Sequence, residues 1–408
     1  MLNIGFRYLG IFLALISFLS FLNILYSYYF NLYLNLNTYF YTFLFSVIFC
    51  LIFFKVKAGK TKPTIFNKIL TISFGYIFIP LILSIPFYFS IYNLTFLSAL
   101  FESVSGFTST GFSIFENIKH IDQSLIMWRS TTQWIGGLYF LFSIIFLIDI
   151  YDQSLKKSLT NFISFNNSEI LKQSVKIFIL YFTLTILIFI ILELIGIRSF
   201  NSLNLAMSLI SSGGFLPFND ISLILNSDFK KIIFSFLMLI SFFSIFFIYN
   251  LIFFKNRDKN FFYEDYHLLL YLVVLILIFF LFFSFNNNFI NLIFSIFSSI
   301  SNIGISLEYN DNNLYFIFLL LTIIGGSFFS TSSGLRLIRI YSLLKFSLNQ
   351  VLSFSKPRNI FMNRLIFSKT NFEINEINKY FLSIIIFIIS LLVLTSLMTF
   401  SGVNFEKG

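Results

Sequence analysis

Apolar and polar positions alternate along this chain in long blocks: oily runs of membrane length, each bounded by a short polar stretch. Such runs lie near residues 7–30, 38–54, 69–91, 126–150, 174–195, 229–254, 267–285, 314–343 and 379–400, which predicts nine helical spans. Three further apolar segments, 95–104, 201–210 and 289–300, are too short to cross a bilayer and predict re-entrant half-helices.

Each short segment runs into a polar loop. The loops read SGFTSTGF (Ser105–Phe112), SLISSGGF (Ser208–Phe215) and SSISNIGI (Ser298–Ile305). Aligned without gaps they superpose Gly111, Gly214 and Gly304, with Thr108, Ser211 and Ser301 three positions earlier and Ser105, Ser208 and Ser298 six earlier. The order of span, short helix, glycine loop, span therefore recurs, as in pseudo-symmetric membrane assemblies.

The loop chemistry follows from the solvent. Irregular backbone at membrane depth survives only where protein buries it or a water-filled cavity meets it. Glycine opens backbone conformations that let successive carbonyls point inward, and rings of carbonyls replace the hydration shell of a cation. The C-terminal end of each short helix adds partial negative charge. The expected cation filter comprises Thr108, Ser109, Thr110 and Gly111; Ser211, Ser212, Gly213 and Gly214; and Ser301, Asn302, Ile303 and Gly304. Small residues also serve close helix packing, a sufficient reading for one such loop but a poor one for three in register.

Composition and charge fill in the topology. The 408 residues are 58% hydrophobic and only 11% charged, which places the chain in one integral membrane unit. The 64 Phe residues crowd it alongside Ile, Asn and Lys, a bias that reflects codon usage as much as function. Cys50, the one cysteine, excludes a disulfide framework. No cleavable signal peptide is expected, because the first apolar run is long and lacks a small-residue cleavage site. Basic clusters at Lys55–Lys68, Lys156–Lys176, Lys255–Lys259 and Lys345–Lys369 share one side if the spans alternate. That side is the cytoplasm, with the N-terminus also inside, so the formal charge of +10 is topology and not a nucleic-acid footprint.

At this point the sequence resembles the TrkH/KtrB superfamily of potassium transporters, closer to the TrkH branch because two spans precede the first repeat. FESVSGFTSTGF (Phe101–Phe112) is similar to the family's first filter with its pore helix, and QWIGGL (Gln133–Leu138) to the glycine pair in the next span. GGSFFSTSSGLRLIR (Gly325–Arg339) matches a third-unit motif usually closer to GGCAGSTAGGIKVIR, and KPR (Lys356–Arg358) stands where relatives often have HPR. Phe328 and Phe329 replace small residues of that motif, and Ile305-Ser306 stands where relatives often have Pro-Gly.

The resemblance implies an all-α polytopic membrane protein built as a pseudo-fourfold repeat of span, pore half-helix, filter loop and span. Three units are complete here, after two N-terminal spans. The expected segments are 1–58 for those two spans, 59–157, 158–262 and 263–350 for units one to three, and 351–408 for the start of a fourth. It further implies potassium uptake across a bacterial cytoplasmic membrane, by the ion-translocating subunit of a Trk/Ktr-type system. The transported ion is K+, driven by membrane potential or in symport with protons or sodium, with no bound organic cofactor. Implied partners are membrane lipid, a second copy in a homodimer, and a cytosolic nucleotide-binding regulatory subunit of TrkA/KtrA type.

Gly111 stands at the position associated with potassium selectivity in the family. The implied gate is an intramembrane loop of Gly325, Gly326, Ser330, Thr331, Ser332, Ser333, Gly334 and Arg336, the last at the family's lysine position. A packing kink with hydroxyls bonded to the preceding turn is the alternative for that segment. Span start to loop glycine takes about 42, 40 and 37 residues in the three units, so a fourth glycine belongs near residues 416–421. The expectation is a truncated sequence, with SGVNFEKG (Ser401–Gly408) leading towards a fourth pore helix.

Glu102, at membrane depth, is functional by default, as filter support or in direct ion contact. Glu116, Asp122, Asp220, Asp228, Glu308 and Asp311 either concentrate cations at the mouth or are ordinary loop charges. Arg339 anchors an interface as readily as it repels ions. His120 and His267 stand apart from any Cys/His cluster, and no P-loop, GxSxG or HExxH occurs in a fitting context, so the chain is not expected to be an enzyme. A polytopic membrane enzyme and a non-conducting scaffold are the competing functions.

Overall fold

The computed structural model describes residues 3–56, 64–147, 170–252, 263–283, 289–307, 314–354 and 374–402. The regular structure among the described residues is all helical, with no strand. Helices α1 (Asn3–Tyr29) and α2 (Leu36–Lys55) form an antiparallel hairpin, in which the Ser20 hydroxyl donates to the Tyr39 carbonyl at 2.6 Å. A hydroxyl spent on a carbonyl costs nothing in lipid; left alone, it would.

The rest repeats one order of elements three times. The first unit has α3 (Ile65–Leu83, continued by the one-turn α4, Ile85–Tyr88), the short α5 (Phe96–Phe107) and α6 (Gln123–Phe146). The second has α7 (Ile170–Leu194), the short α8 (Ser199–Ser211), then α9 (Asp228–Phe242) and α10 (Ile245–Ile252). The third has α11 (Tyr263–Phe283), the short α12 (Phe289–Ser301), α13 (Tyr315–Ile324) and α14 (Leu337–Ser353). Helix α15 (Ile374–Phe400) follows and packs on α14. At 12, 13 and 13 residues the short helices reach about 18–20 Å, well under the bilayer core.

The short helices sit where the sequence places them, but not all nine spans survive as single helices. Among the described residues six helices are long and apolar enough to cross a membrane: Phe6–Tyr29, Leu36–Lys55, Ile65–Tyr88, Val175–Leu194, Glu264–Phe282 and Ile377–Phe400. The 126–150 run becomes α6, 24 residues long and buried along almost its whole length, so it needs no lipid-facing surface and carries Arg129, Gln133 and five Ser and Thr hydroxyls inside. The 229–254 run breaks at Phe243-Ser244, and the 314–343 run at Gly325–Arg336. Lys57–Lys62, Lys156, Lys157, Lys255–Lys259, Lys356–Arg358, Arg364, Lys369, Glu308, Asp311 and the segment past Gly402 lie outside the described residues.

Packing orders the units. Helix α6 of the first unit packs against both its own short helix α5 and the next unit's α8; α9 of the second likewise holds α12 of the third. Each closing helix thus seats the following short helix, which brings the three loops side by side.

Candidate ion-conducting site

All three short helices end in the same way. The N–H groups of Ser109, Ser212 and Asn302 bond the carbonyls of Gly106, Leu209 and Ser299 at 3.0, 3.2 and 3.2 Å. Those of Thr110, Gly213 and Ile303 reach back to Ser105, Ser208 and Ser298 at 2.9, 2.8 and 3.1 Å. This is the Schellman pairing, and it puts Ser109, Ser212 and Asn302 in the left-handed region at φ 55°, 57° and 58°. Two residues later the glycines turn the same way, Gly111 at 83°, Gly214 at 85° and Gly304 at 73°.

The hydroxyl register in the sequence now has a cause. Thr108, Ser211 and Ser301 donate to Val104, Met207 and Phe297 at 2.8, 2.8 and 2.7 Å, fastening the last helical turn. Six before the glycine, the Ser105 hydroxyl donates to the Phe112 carbonyl and the Ser208 hydroxyl accepts the Gly214 N–H, each holding its loop to the helix end. With these N–H groups turned back into the helix, loop carbonyls point elsewhere. The Gly213 oxygen lies 2.7 Å from where a Cβ on Gly111 would sit, and the Ile303 oxygen stands in the same relation to Gly214. The hydroxyl of Ser212 donates to the Ser301 carbonyl, tying the second loop to the third. Thus the sequence-predicted residues of all three loops come together. Gly304 differs: nothing lies within 4 Å of a Cβ placed there, and the loop borders a cavity of about 700 Å³ lined by Ser295, Ser299, Asn302, Tyr315 and Thr322.

Helix α6 supports the first two loops from behind. Its Gly136 is bare because a Cβ would run into the Phe107 carbonyl, and a Cβ on Gly137 would crowd the Tyr181 hydroxyl and Ser211 at 2.7 and 2.8 Å. Gln133 Oε1 accepts the Phe215 N–H at 3.3 Å. Arg129 Nε meets Glu102 Oε1 at 2.7 Å, with side chains 1% and 0% exposed. Glu102 Oε2 in turn accepts the Ile114 N–H at 3.0 Å. Glu102 therefore braces the loop; its carboxylate is committed to protein donors. Asp122, expected at the mouth, accepts from Ser124 and Asn35 at 2.8 and 3.4 Å, whereas Glu116 and Asp220 are exposed.

The predicted gate is a closed loop against the ends of α8 and α9. Gly325 (φ 69°) and Gly334 (φ 97°) press their backbones together at its neck, and the Leu335 N–H bonds the Ile323 carbonyl at 2.9 Å. Within it Ser332 Oγ accepts the Gly326 N–H at 3.0 Å and lies 2.9 Å from Ser330 Oγ. Arg336 holds a left-handed φ of 72°, and its Nη1 donates to the Ser327 carbonyl and Ser330 Oγ at 2.6 and 2.7 Å. Ser333 alone among the predicted gate serines is exposed. The hydroxyls bond within the loop and to the second unit, which replaces the simple kink with a built segment. Thr331 donates to the Ile210 carbonyl at 2.8 Å, and the N–H groups of Ser327 and Ser332 reach Phe242 and Ser241 at 3.0 and 3.1 Å.

Sequence reasoning missed Arg129, Glu264 and Asp265. Glu264 Oε1 accepts the Phe328 N–H at 3.0 Å, and Asp265 Oδ1 the Ser244 N–H at 2.9 Å. The signal was available for Arg129, since an ionisable residue inside an apolar run is a functional candidate by default, whereas Glu264 and Asp265 precede the 267–285 run and read as flanking charges. Among the described residues no three His, Cys, Asp or Glu side chains gather to hold a metal.

Known proteins resemble this chain in sequence and in fold. The profile of TrkH, a cation transport protein, matches residues 34–268. An uncharacterized cation transporter of Methanocaldococcus jannaschii is 26% identical over 290 residues, covering 68% of this chain and 58% of the relative. The Trk system potassium uptake protein TrkH of Halomonas elongata is 24% identical over 279 residues, 64% of this chain and 57% of the relative. The chain thus spans less than two thirds of the length of these relatives. The crystal structure of the potassium transporter TrkH from Vibrio parahaemolyticus superposes with a TM-score of 0.71 at 20% identity, over 88% of this chain and 78% of that one.

Proposed function

Given that the chain belongs to the TrkH family of cation transport proteins, and is a multi-pass membrane protein, we propose that it carries potassium into the cell as the translocating subunit of a Trk/Ktr-type system. One observation carries the reading: three identically capped loops lie edge to edge, with the carbonyl oxygens of Gly213 and Ile303 close beside the neighbouring loop's glycine. Such oxygens suit a dehydrated monovalent cation.

In this reading units 59–157, 158–262 and 263–350 each contribute one loop, and Thr108–Gly111, Ser211–Gly214 and Ser301–Gly304 form the filter. The segment Gly325–Arg336 closes the path below it. A homodimer in the cytoplasmic membrane, with the N-terminus and a TrkA/KtrA-type regulatory subunit on the cytoplasmic side, completes the proposal. The Lys-rich loops support that orientation.

Expression of the gene that carries this chain in a bacterium lacking its own potassium uptake tests it. Growth at limiting potassium is expected; no growth despite normal membrane levels would favour a non-conducting scaffold. Gly111→Ser is expected to relax potassium preference over sodium, read by competitive uptake, and an unchanged preference would remove Gly111 from the filter.

A further inference from the structure

Behind the first two loops lies a charge that coordination by carbonyls does not require. Arg129 sits in the second turn of an almost wholly buried helix, and taking a guanidinium out of water is costly even when it is paired. An apolar side chain of similar size would hold the helices together as well. What the guanidinium does that an apolar group cannot is touch both loops at once. Its Nε bonds Glu102 at 2.7 Å, its Nη2 donates to Ser113 Oγ at 3.0 Å, and its plane lies 4.3 Å from the Phe215 ring centroid. Ser113 and Ile114 follow Gly111 by two and three residues; Phe215 directly follows Gly214. Ser113 Oγ also donates to both Glu102 oxygens, at 3.1 and 3.2 Å, so carboxylate, hydroxyl and guanidinium close a triangle under the first loop.

We propose that Arg129 is a positioning residue that fixes the spacing between the first and second loops and thereby sets which monovalent cation passes; the inference rests on the transport reading above. The pair with Glu102 is neutral overall, so Arg129 acts through placement and not by repelling ions. Only a planar fork serves all three contacts. An ammonium reaches one acceptor well and stacks on nothing. A carbonyl cage discriminates through the position and number of its oxygens, so a shift of one loop against the other is read as a change in ion preference.

The experiment is uptake of rubidium as a potassium tracer, in competition with sodium, by cells expressing Arg129→Lys, Ser113→Ala and the neutral double variant Glu102→Gln/Arg129→Gln. Membrane yield and melting temperature in detergent are measured alongside. Preference for rubidium over sodium is expected to fall about tenfold in Arg129→Lys and in the double variant, the equivalent of one charge-assisted hydrogen bond. A fall of about threefold is expected in Ser113→Ala, which keeps the ion pair and hence the fold. Equal loss of rubidium and sodium uptake, with the ratio unchanged, would assign Arg129 to packing and overturn the inference. Should Arg129→Lys fail to accumulate, the ratio in Ser113→Ala decides. A wild-type protein that moves neither ion would sink the transport reading itself, whereas a selective wild type with equally selective variants overturns this inference alone.

Discussion

The first and third loops share a cap to within 0.3 Å in every bond quoted, yet they live in different surroundings. Around Gly111 the Gly213 oxygen leaves no room for a side chain, and Glu102, Ser113 and Arg129 fix the chain that leaves the loop. Around Gly304 there is open space, and the Asn302 amide Nδ2 is buried without a protein partner. Local sequence therefore shapes each loop, and neighbouring helices decide how tightly it is held.

Substitutions can break that contrast. The largest effect is expected for Gly214→Ala, which drives a methyl into the Ile303 carbonyl at a left-handed φ of 85°. Potassium uptake should fall more than about tenfold at undiminished membrane yield, since even 1–2 kcal/mol of conformational cost comes on top of a steric clash with backbone. Next comes Gly136→Ala, which must push α6 off Phe107; we expect a loss of about 1–3 kcal/mol, read as a lower melting temperature in detergent. Ser332→Ala removes the acceptor of the Gly326 N–H and should cost about 1–2 kcal/mol by the same measurement, with ion preference unchanged. The smallest effect belongs to Gly304→Ala. With φ at 73° but no neighbour to meet, it should keep uptake within about threefold of the wild type. Equal losses for Gly214→Ala and Gly304→Ala would erase the distinction between the two surroundings.

These differences also explain what the sequence could reveal. The caps were legible because a hydroxyl that back-bonds its own turn and a glycine at positive φ are local requirements, and local requirements leave a fixed spacing. The break over Gly325–Arg336 was legible for the same reason, through Gly325 and Gly334. The break at Phe243-Ser244 was not, since no glycine or proline marks it. It exists because partners far along the chain satisfy the freed backbone: Asp265 receives the Ser244 N–H, and the Phe329 carbonyl receives that of Ile245 at 3.1 Å. Arg129 escaped notice because a run is judged by its average, and one cation barely moves it. Its meaning depends on Glu102, 27 residues away.

The fastenings of the segment Gly325–Arg336 limit how it can travel. Four bonds, from Thr331 to Ile210, Ser327 to Phe242, Ser332 to Ser241 and Ile245 to Phe329, moor it to the middle unit. Swung on its own like a trapdoor, it must sever all four together. Carried along with α9 and the end of α8, it keeps those four but pulls the second loop against α6, which holds Phe215 through Gln133. Any movement of the segment is therefore felt at Gly214, one residue away.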